Sequence, residues 1–276
     1  MAVTGRRGIA FTAIVILTMM MVLFPQVHAS TPIVFDASGS PNPQTCISSC
    51  STLSWSHTVG SGSNRILLVG LSFGGASGSA VTFGGAALTE VGVETDTFST
   101  VELWALQNPA SGTATITVTI GFTAPFLVGG SVSYSNVAGI GTPAGNKGTG
   151  AAATDLVGTS SGDVVIDTLS AFTVPPVFTV SPTGPGQTQR WNSGSLNGPE
   201  GGFFAGAGSD QPASGSSVTM SWSVTEFVFW SVVAVPLIPA PPAPIPEYPF
   251  GLPILAILTI IVYSMIRRRS KNPKNI

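Results

Sequence analysis

Between residues 30 and 240 the groups whose types could do chemistry are few: one histidine, two cysteines in the stretch CISSC, and a run of carboxylates in ALTEVGVETDTFSTVELW. A nucleophilic Ser or Thr would need a base beside it, and His57 is the one candidate. In TLSWSHTV, residues 52–59, His57 shares the alternation of Leu53, Trp55 and Val59. That parity predicts a satisfied interior or edge histidine rather than a general base. The serines of TVGSGSNR and GGASGSA lack the strand–turn–helix setting of a nucleophile elbow. Lys147 is the single lysine of this region, which leaves little scope for lysine chemistry.

Glu90, Glu94, Asp96 and Glu102 form the carboxylate run. A pair of carboxylates about 5–9.5 Å apart can hydrolyse a glycoside. Glu90, Glu94 and Asp96 could alternatively supply hard oxygen ligands to calcium, the one cofactor worth considering. The plain expectation is a solvated strand edge. Cys46 and Cys50 are the only cysteines. A closed zinc site would need two ligands besides these cysteines and the region offers a single His, so a small disulfide pinning the loop PNPQTCISSC is expected, contributing roughly 1–2 kcal/mol. Trp55 and Trp222 lie in core parity and Trp230 in a fully apolar run. If exposed, Trp104 and Trp191 are the candidates for stacking on a sugar face, with packing under a loop the plainer expectation for both. The glycine loops lack the Lys and following helix that phosphate binding needs, which sets nucleotide binding aside.

The elements that must position these groups are strands. TATITVTI (113–120), SVTMSWSV (217–224) and TLSWSHTV alternate apolar and polar residues, as half-buried strands do. RILLVGLSF (65–73), DVVIDTLSAFTV (163–174) and EFVFWSVVAVPLI (226–238) are apolar on both faces and read as central strands. About thirteen strands separated by short turns predict an all-β, antiparallel two-sheet sandwich of jelly-roll type. No internal repeat is visible between the halves, so one domain over residues 30–238 is expected rather than two smaller sandwiches divided near GIGTPAGNKGTG, 139–150.

Charge narrows the partners. Between residues 30 and 240, Arg65, Lys147 and Arg190 face eleven acidic residues, a balance of −8. Such a surface does not neutralise phosphates, which excludes nucleic acid. The chain is 43% hydrophobic and 8% charged, so it can form a core and is not a disordered polymer.

The two ends speak of export. Arg6 and Arg7, the apolar run Ile9–Phe24 and the small residues of Val27-His28-Ala29 predict a signal peptide over 1–29. Residues 239–247 are Pro-rich and predict an extended stalk. Residues 248–266 carry no charge and are followed by Arg267, Arg268 and Arg269, which predicts a single transmembrane helix with a basic cytoplasmic tail over 267–276 and everything before it outside.

Pro246, Glu247, Tyr248 and Pro249, then the apolar run, then the Arg cluster, resemble the C-terminal signals of archaeal cell-surface proteins whose motif is written PEF. That resemblance implies recognition by a sortase-like transpeptidase that removes the helix and attaches a lipid; here Tyr248 stands in place of Phe. The stretch from WSHTVGSGSNRILLVGLSF to WSVVAVPLIPA is similar to secreted jelly-roll modules of laminin-G or concanavalin type, which implies a surface-exposed sandwich without a catalytic signature. The resulting expectation is a non-enzymatic, membrane-anchored surface protein with an envelope, adhesion or matrix role, meeting extracellular glycans or envelope proteins. A carbohydrate-binding module using Trp104 and Trp191 is the alternative, and a glycoside-active enzyme built on the acidic run is a remote one.

Overall fold

The threonine-rich alternation of residues 113–120 forms a strand in the computed structural model, with Ile116, Val118 and Ile120 buried and Thr115, Thr117 and Thr119 exposed. The structure describes residues 30–39, 43–174, 176–198, 201–242 and 251–271. The expected signal peptide, the residues Pro246 to Pro249 and the end of the tail lie outside them. The chain divides into two units, Met1–Pro241 and Pro242–Ile276.

The first half of the first unit carries β1 (Val34–Ser38), β2 (Gln44–Val59), β3 (Ile66–Phe73), β4 (Ser79–Phe83), β5 (Ala86–Ala87), β6 (Thr89–Thr95), β7 (Thr100–Gln107) and β8 (Gly112–Ser135). The second half carries β9 (Val137–Ile140), β10 (Ala144–Gly158), β11 (Val164–Thr173), β12 (Val180–Pro182), β13 (Thr188–Asn192), β14 (Leu196–Asn197), β15 (Phe203–Pro212) and β16 (Ser217–Pro239). All ladders among these strands are antiparallel, and they make two sheets of eight strands. One sheet runs β5-β4-β8-β3-β7-β6 with β1 and β2 on β8; the other runs β10-β16-β11-β15-β13 with β9 and β12 on β16 and β14 on β15.

The two-sheet sandwich matches the expectation, but the strand order is not that of a jelly roll. A jelly roll passes its strands back and forth between sheets, whereas here each sheet is built from one contiguous half of the chain. The halves also repeat one another. β1, β2 and β4 pair with β8 as β9, β10 and β12 pair with β16; β3 lies between β7 and β8 as β11 lies between β15 and β16; β6 pairs with β7 as β13 pairs with β15.

Even the register recurs. Ile66 stands opposite Gln107 and Tyr134, and Val164 opposite Pro212 and Leu237. The expectation of no internal repeat is therefore corrected at the level of topology. It was hidden because the duplicated strands share only their alternation, not their side chains.

β8 and β16 are long enough to serve two layers each. β8 pairs with β4 over its first half, with β2 from Gly112 to Gly129, and with β3 over its second half. The first half folds over the outer face of β3, so Leu53, Trp55, Val81, Ile116 and Val118 bury Leu67, Val69, Leu71 and Phe73. The inner face of β3, Ile66 and Leu68, packs with Leu103 and Val132 against Ile166, Phe204, Val233 and Val235 of the other sheet. That is why β3 is buried along its whole length. The second unit contains α1 (Gly251–Lys271). Its side chains Ile257, Leu258, Ile260, Val262, Met265 and Ile266 are all more than half exposed. Counting described residues, no helix is long and apolar enough to cross a membrane.

Candidate functional site

A cleft of about 360 Å³ lies where the two sheets meet, lined by Phe98, Pro125, Phe126, Phe172, Val174, Gly198, Gly202, Phe204 and Phe229. Both halves of the chain build it. Phe126 lies on β8 and Phe204 on β15, and their rings stack face to face with centroids 3.9 Å apart. Phe172 closes β11, and Phe229 stands on β16. Phe98 comes from the turn between β6 and β7 and reaches across the gap, stacked on Phe172 at 4.8 Å and edge-on to Phe229 at 4.5 Å.

The turn that presents Phe98 is tied by one carboxylate. Asp96 Oδ1 accepts from the backbone N–H of Phe98 at 2.6 Å and of Ser99 at 2.7 Å, and the Asp96 N–H donates to the Ser99 carbonyl. Such an Asx turn holds a partly exposed aromatic ring in place without core packing. Glycines give the cleft its room: a Cβ on Gly202 would meet the Phe172 ring at 2.5 Å, and one on Gly198 the Phe204 ring at 3.2 Å. Among the described residues, no lining side chain carries a charge or a hydrogen-bonding group.

The residues singled out from the sequence lie elsewhere. His57 is buried, as its parity predicted. Its Nδ1 and Nε2 meet the hydroxyls of Ser131 and Ser133, each at 3.0 Å. Ser133 donates to Asp36 at 2.8 Å, so it accepts from Nε2–H, and Nδ1 accepts from Ser131, which itself accepts from Trp55 Nε1. Both ring nitrogens are thus spent on serines, and no carboxylate orients the ring. Burial pulls the His57 pKa down to about 4, against the pull of Asp36, so the ring stays neutral.

Trp104 and Trp191 are 8% and 5% exposed, so both are packed, the plainer of their two readings, and neither offers a face to a sugar. Trp104 donates to Glu102 Oε2 at 2.9 Å. Trp191 fills a slot between the sheets walled by Gly70, Gly130 and Gly208, which have no Cβ to displace it. Nothing in the polar strand around residue 191 reveals this slot, because its walls come from three other strands.

The acidic run is not brought together. Glu94 pairs with Lys147 at 2.9 Å, Asp96 is used by its turn, and Glu102 is fully buried and accepts from the Gly78 N–H. Glu90 is exposed, and partial burial with the nearby Glu102 raises its pKa. Among the described residues no three His, Cys, Asp or Glu side chains are placed to hold a metal ion. Cys46 and Cys50 form the expected disulfide, closing an irregularity of β2 at which Ser48 and Ser49 both take positive φ.

Four buried carboxylates, Asp155, Asp163, Asp167 and Asp210, escaped the sequence reading. Asp167, on the face of β11 turned away from the other sheet, accepts from the Ser209 N–H, the Ser209 hydroxyl and Trp222 Nε1 at 2.6–2.8 Å. Burial outweighs these bonds and pushes its carboxyl up to about 7. Asp155 on β10 is raised by burial to about 6, and its Oδ2 accepts no hydrogen bond from the protein. Across the sheets, Asp210 accepts from Tyr134 at 2.6 Å and binds Arg190 at 2.7 Å, with the guanidinium lying 3.9 Å over the Phe35 ring. Set against family models, curated proteins and solved structures, the chain matches none.

Proposed function

We propose that this chain is an exported, membrane-held surface protein that displays a non-enzymatic β-sandwich and serves an envelope, adhesion or matrix role. The observation that carries the reading is α1: a helix with apolar side chains exposed around its circumference that runs directly into Arg267, Arg268 and Arg269. A helix apolar all round belongs in lipid, and an arginine cluster at one end keeps that end in the cytoplasm. The Cys46–Cys50 disulfide supports an oxidising exterior for the sandwich. The scarcity of lysine and arginine suits a surface that meets neither nucleic acid nor anionic lipid.

In this reading residues 1–29 direct export and residues 248–266 form the span. Pro246 to Pro249 mark where a sortase-like enzyme would exchange the helix for a lipid. The likeness to secreted jelly-roll modules is kept at the level of two packed antiparallel sheets. A non-enzymatic role agrees with His57 being held between two serines and with the separation of the acidic run.

Protease added outside intact cells, followed by fractionation, tests the placement. The sandwich should be degraded from outside while a short C-terminal fragment stays protected. Protection of the sandwich in intact cells would sink the reading. Intact-mass measurement of the mature protein separates a retained helix from lipid exchange.

A further inference from the structure

The phenylalanine-lined cleft is assigned no role by surface display. Its volume of about 360 Å³ lies within the range of small-molecule sites, ~300–1,000 Å³. Its chemistry is one-sided. Five aromatic rings, one proline and one valine line it, and the two lining glycines belong to a turn in which Gly198 N–H donates to the Gly202 carbonyl at 2.7 Å.

A sugar or an ion would be stripped of water there without compensation from the described lining, none of whose side chains can hydrogen-bond to it. A peptide strand would need backbone partners, and this wall spends backbone groups on its own turn. What the rings can offer is faces and edges to another flat apolar body. The rim is arranged in advance: Asp96 fixes the turn that holds Phe98 over the opening, so little ordering remains to be done on binding.

We propose that the cleft binds one small, uncharged, apolar molecule that packs against the exposed faces and edges of the Phe98, Phe126, Phe172, Phe204 and Phe229 rings. Phe98 is the residue that closes over it and Asp96 is a positioning residue. The site does not depend on where the protein resides.

The test uses the full chain in lipid nanodiscs, with empty discs as the blank, titrated with the neutral fluorophore N-phenyl-1-naphthylamine. A single saturable site above the blank is expected, displaced by naphthalene and not by glucose. Phe98→Ala should weaken it roughly fivefold through the lost ring contacts. Val174→Trp, at a rim position that is 67% exposed, should fill the mouth and abolish it. Leu156→Ala, at an exposed position that does not line the cleft, should leave it unchanged. A signal no greater than that of empty discs, displacement by glucose, or the same affinity in wild type and Val174→Trp would overturn the assignment. The naphthalene competition is read on the wild-type chain and needs no variant to fold.

Discussion

Ser72 on β3 donates its hydroxyl hydrogen to Ser170 on β11 across 2.7 Å, at the centre of the contact between the two sheets. The two serines occupy the same place in their halves. Ser72 stands opposite Val101 and Val128, and Ser170 opposite Gly206 and Ser231, in the register that relates β3, β7 and β8 to β11, β15 and β16. A pair formed by equivalent residues marks the axis about which the halves are related. Both hydroxyls are fully buried, so each depends on the other. Ser72→Ala and Ser170→Ala should each destabilise by about 1–3 kcal/mol, while the double variant should cost clearly less than the sum of the two. Additive losses in urea melts would show that the pair is not a coupled unit.

The buried acids set a pH dependence whose sign can be worked out. Asp167 and Asp155 rise from an ordinary 3.8 to about 7 and about 6, so the folded chain holds their protons longer than the unfolded chain does. Their stabilisation is complete below pH 4 and is lost as pH rises through 6 and 7. His57 opposes them: lowered from 6.5 to about 4, it favours unfolding as pH falls through that window. Two carboxylates against one imidazole leave stability falling from pH 4 towards 7, by about 1.4 kcal/mol per unit for each net proton. Thermal melts across this range should show that fall. Asp155→Asn should flatten it below pH 6 and raise Tm at pH 7.5. A Tm that climbs from pH 4.5 to 7.5 in the wild type would contradict the assignment.

Arg190 is the sole positive side chain bound to Asp210, whose side chain is only 5% exposed. Removing it leaves a buried carboxylate that still accepts from the Tyr134 hydroxyl but has lost its counter-charge. Arg190→Ala should therefore cost about 3–5 kcal/mol, more than a surface ion pair would. Arg190→Lys should recover part of the loss but not the contact of the flat guanidinium with Phe35. Chemical denaturation of the three proteins reads this order directly.

The slot that holds Trp191 makes an opposite kind of prediction, in which adding one carbon does harm. A methyl group at Gly130 would lie against the indole ring, and one at Gly208 against its N–H. Gly130→Ala should destabilise by about 1–3 kcal/mol through overpacking, with a shift in tryptophan emission as the ring is displaced. Gly139→Ala, where nothing lies within 4 Å of the new carbon, is the control and should be close to neutral.

How legible the molecule was from its sequence follows from what each signal measures. Alternation reports one strand at a time, so the faces of 52–59, 113–120 and 217–224 were read correctly, His57 included. Which strands lie side by side depends on long-range pairing, and the jelly-roll order failed there. Trp104 and Trp191 could stand as sugar-stacking candidates for a related reason: a strand's second face is buried when another layer covers it, and the covering residues are distant in the chain. Phe98 carried a local sign that went unused, an aromatic ring in the polar turn DTFST following an aspartate that can tie the turn. The rings it meets, Phe172 and Phe229, become its neighbours only once β11 and β16 are paired.

β16 ends at Pro239, and the chain leaves the sandwich just beyond it. Tension drawn through residue 241 therefore enters along the axis of a strand bonded on both edges, to β10 along one side and to β11 and β12 along the other. Interstrand hydrogen bonds lie across such an axis. They would be loaded in shear, many at once, instead of peeled one after another, which is the arrangement in which a short stretch of sheet best resists being pulled apart.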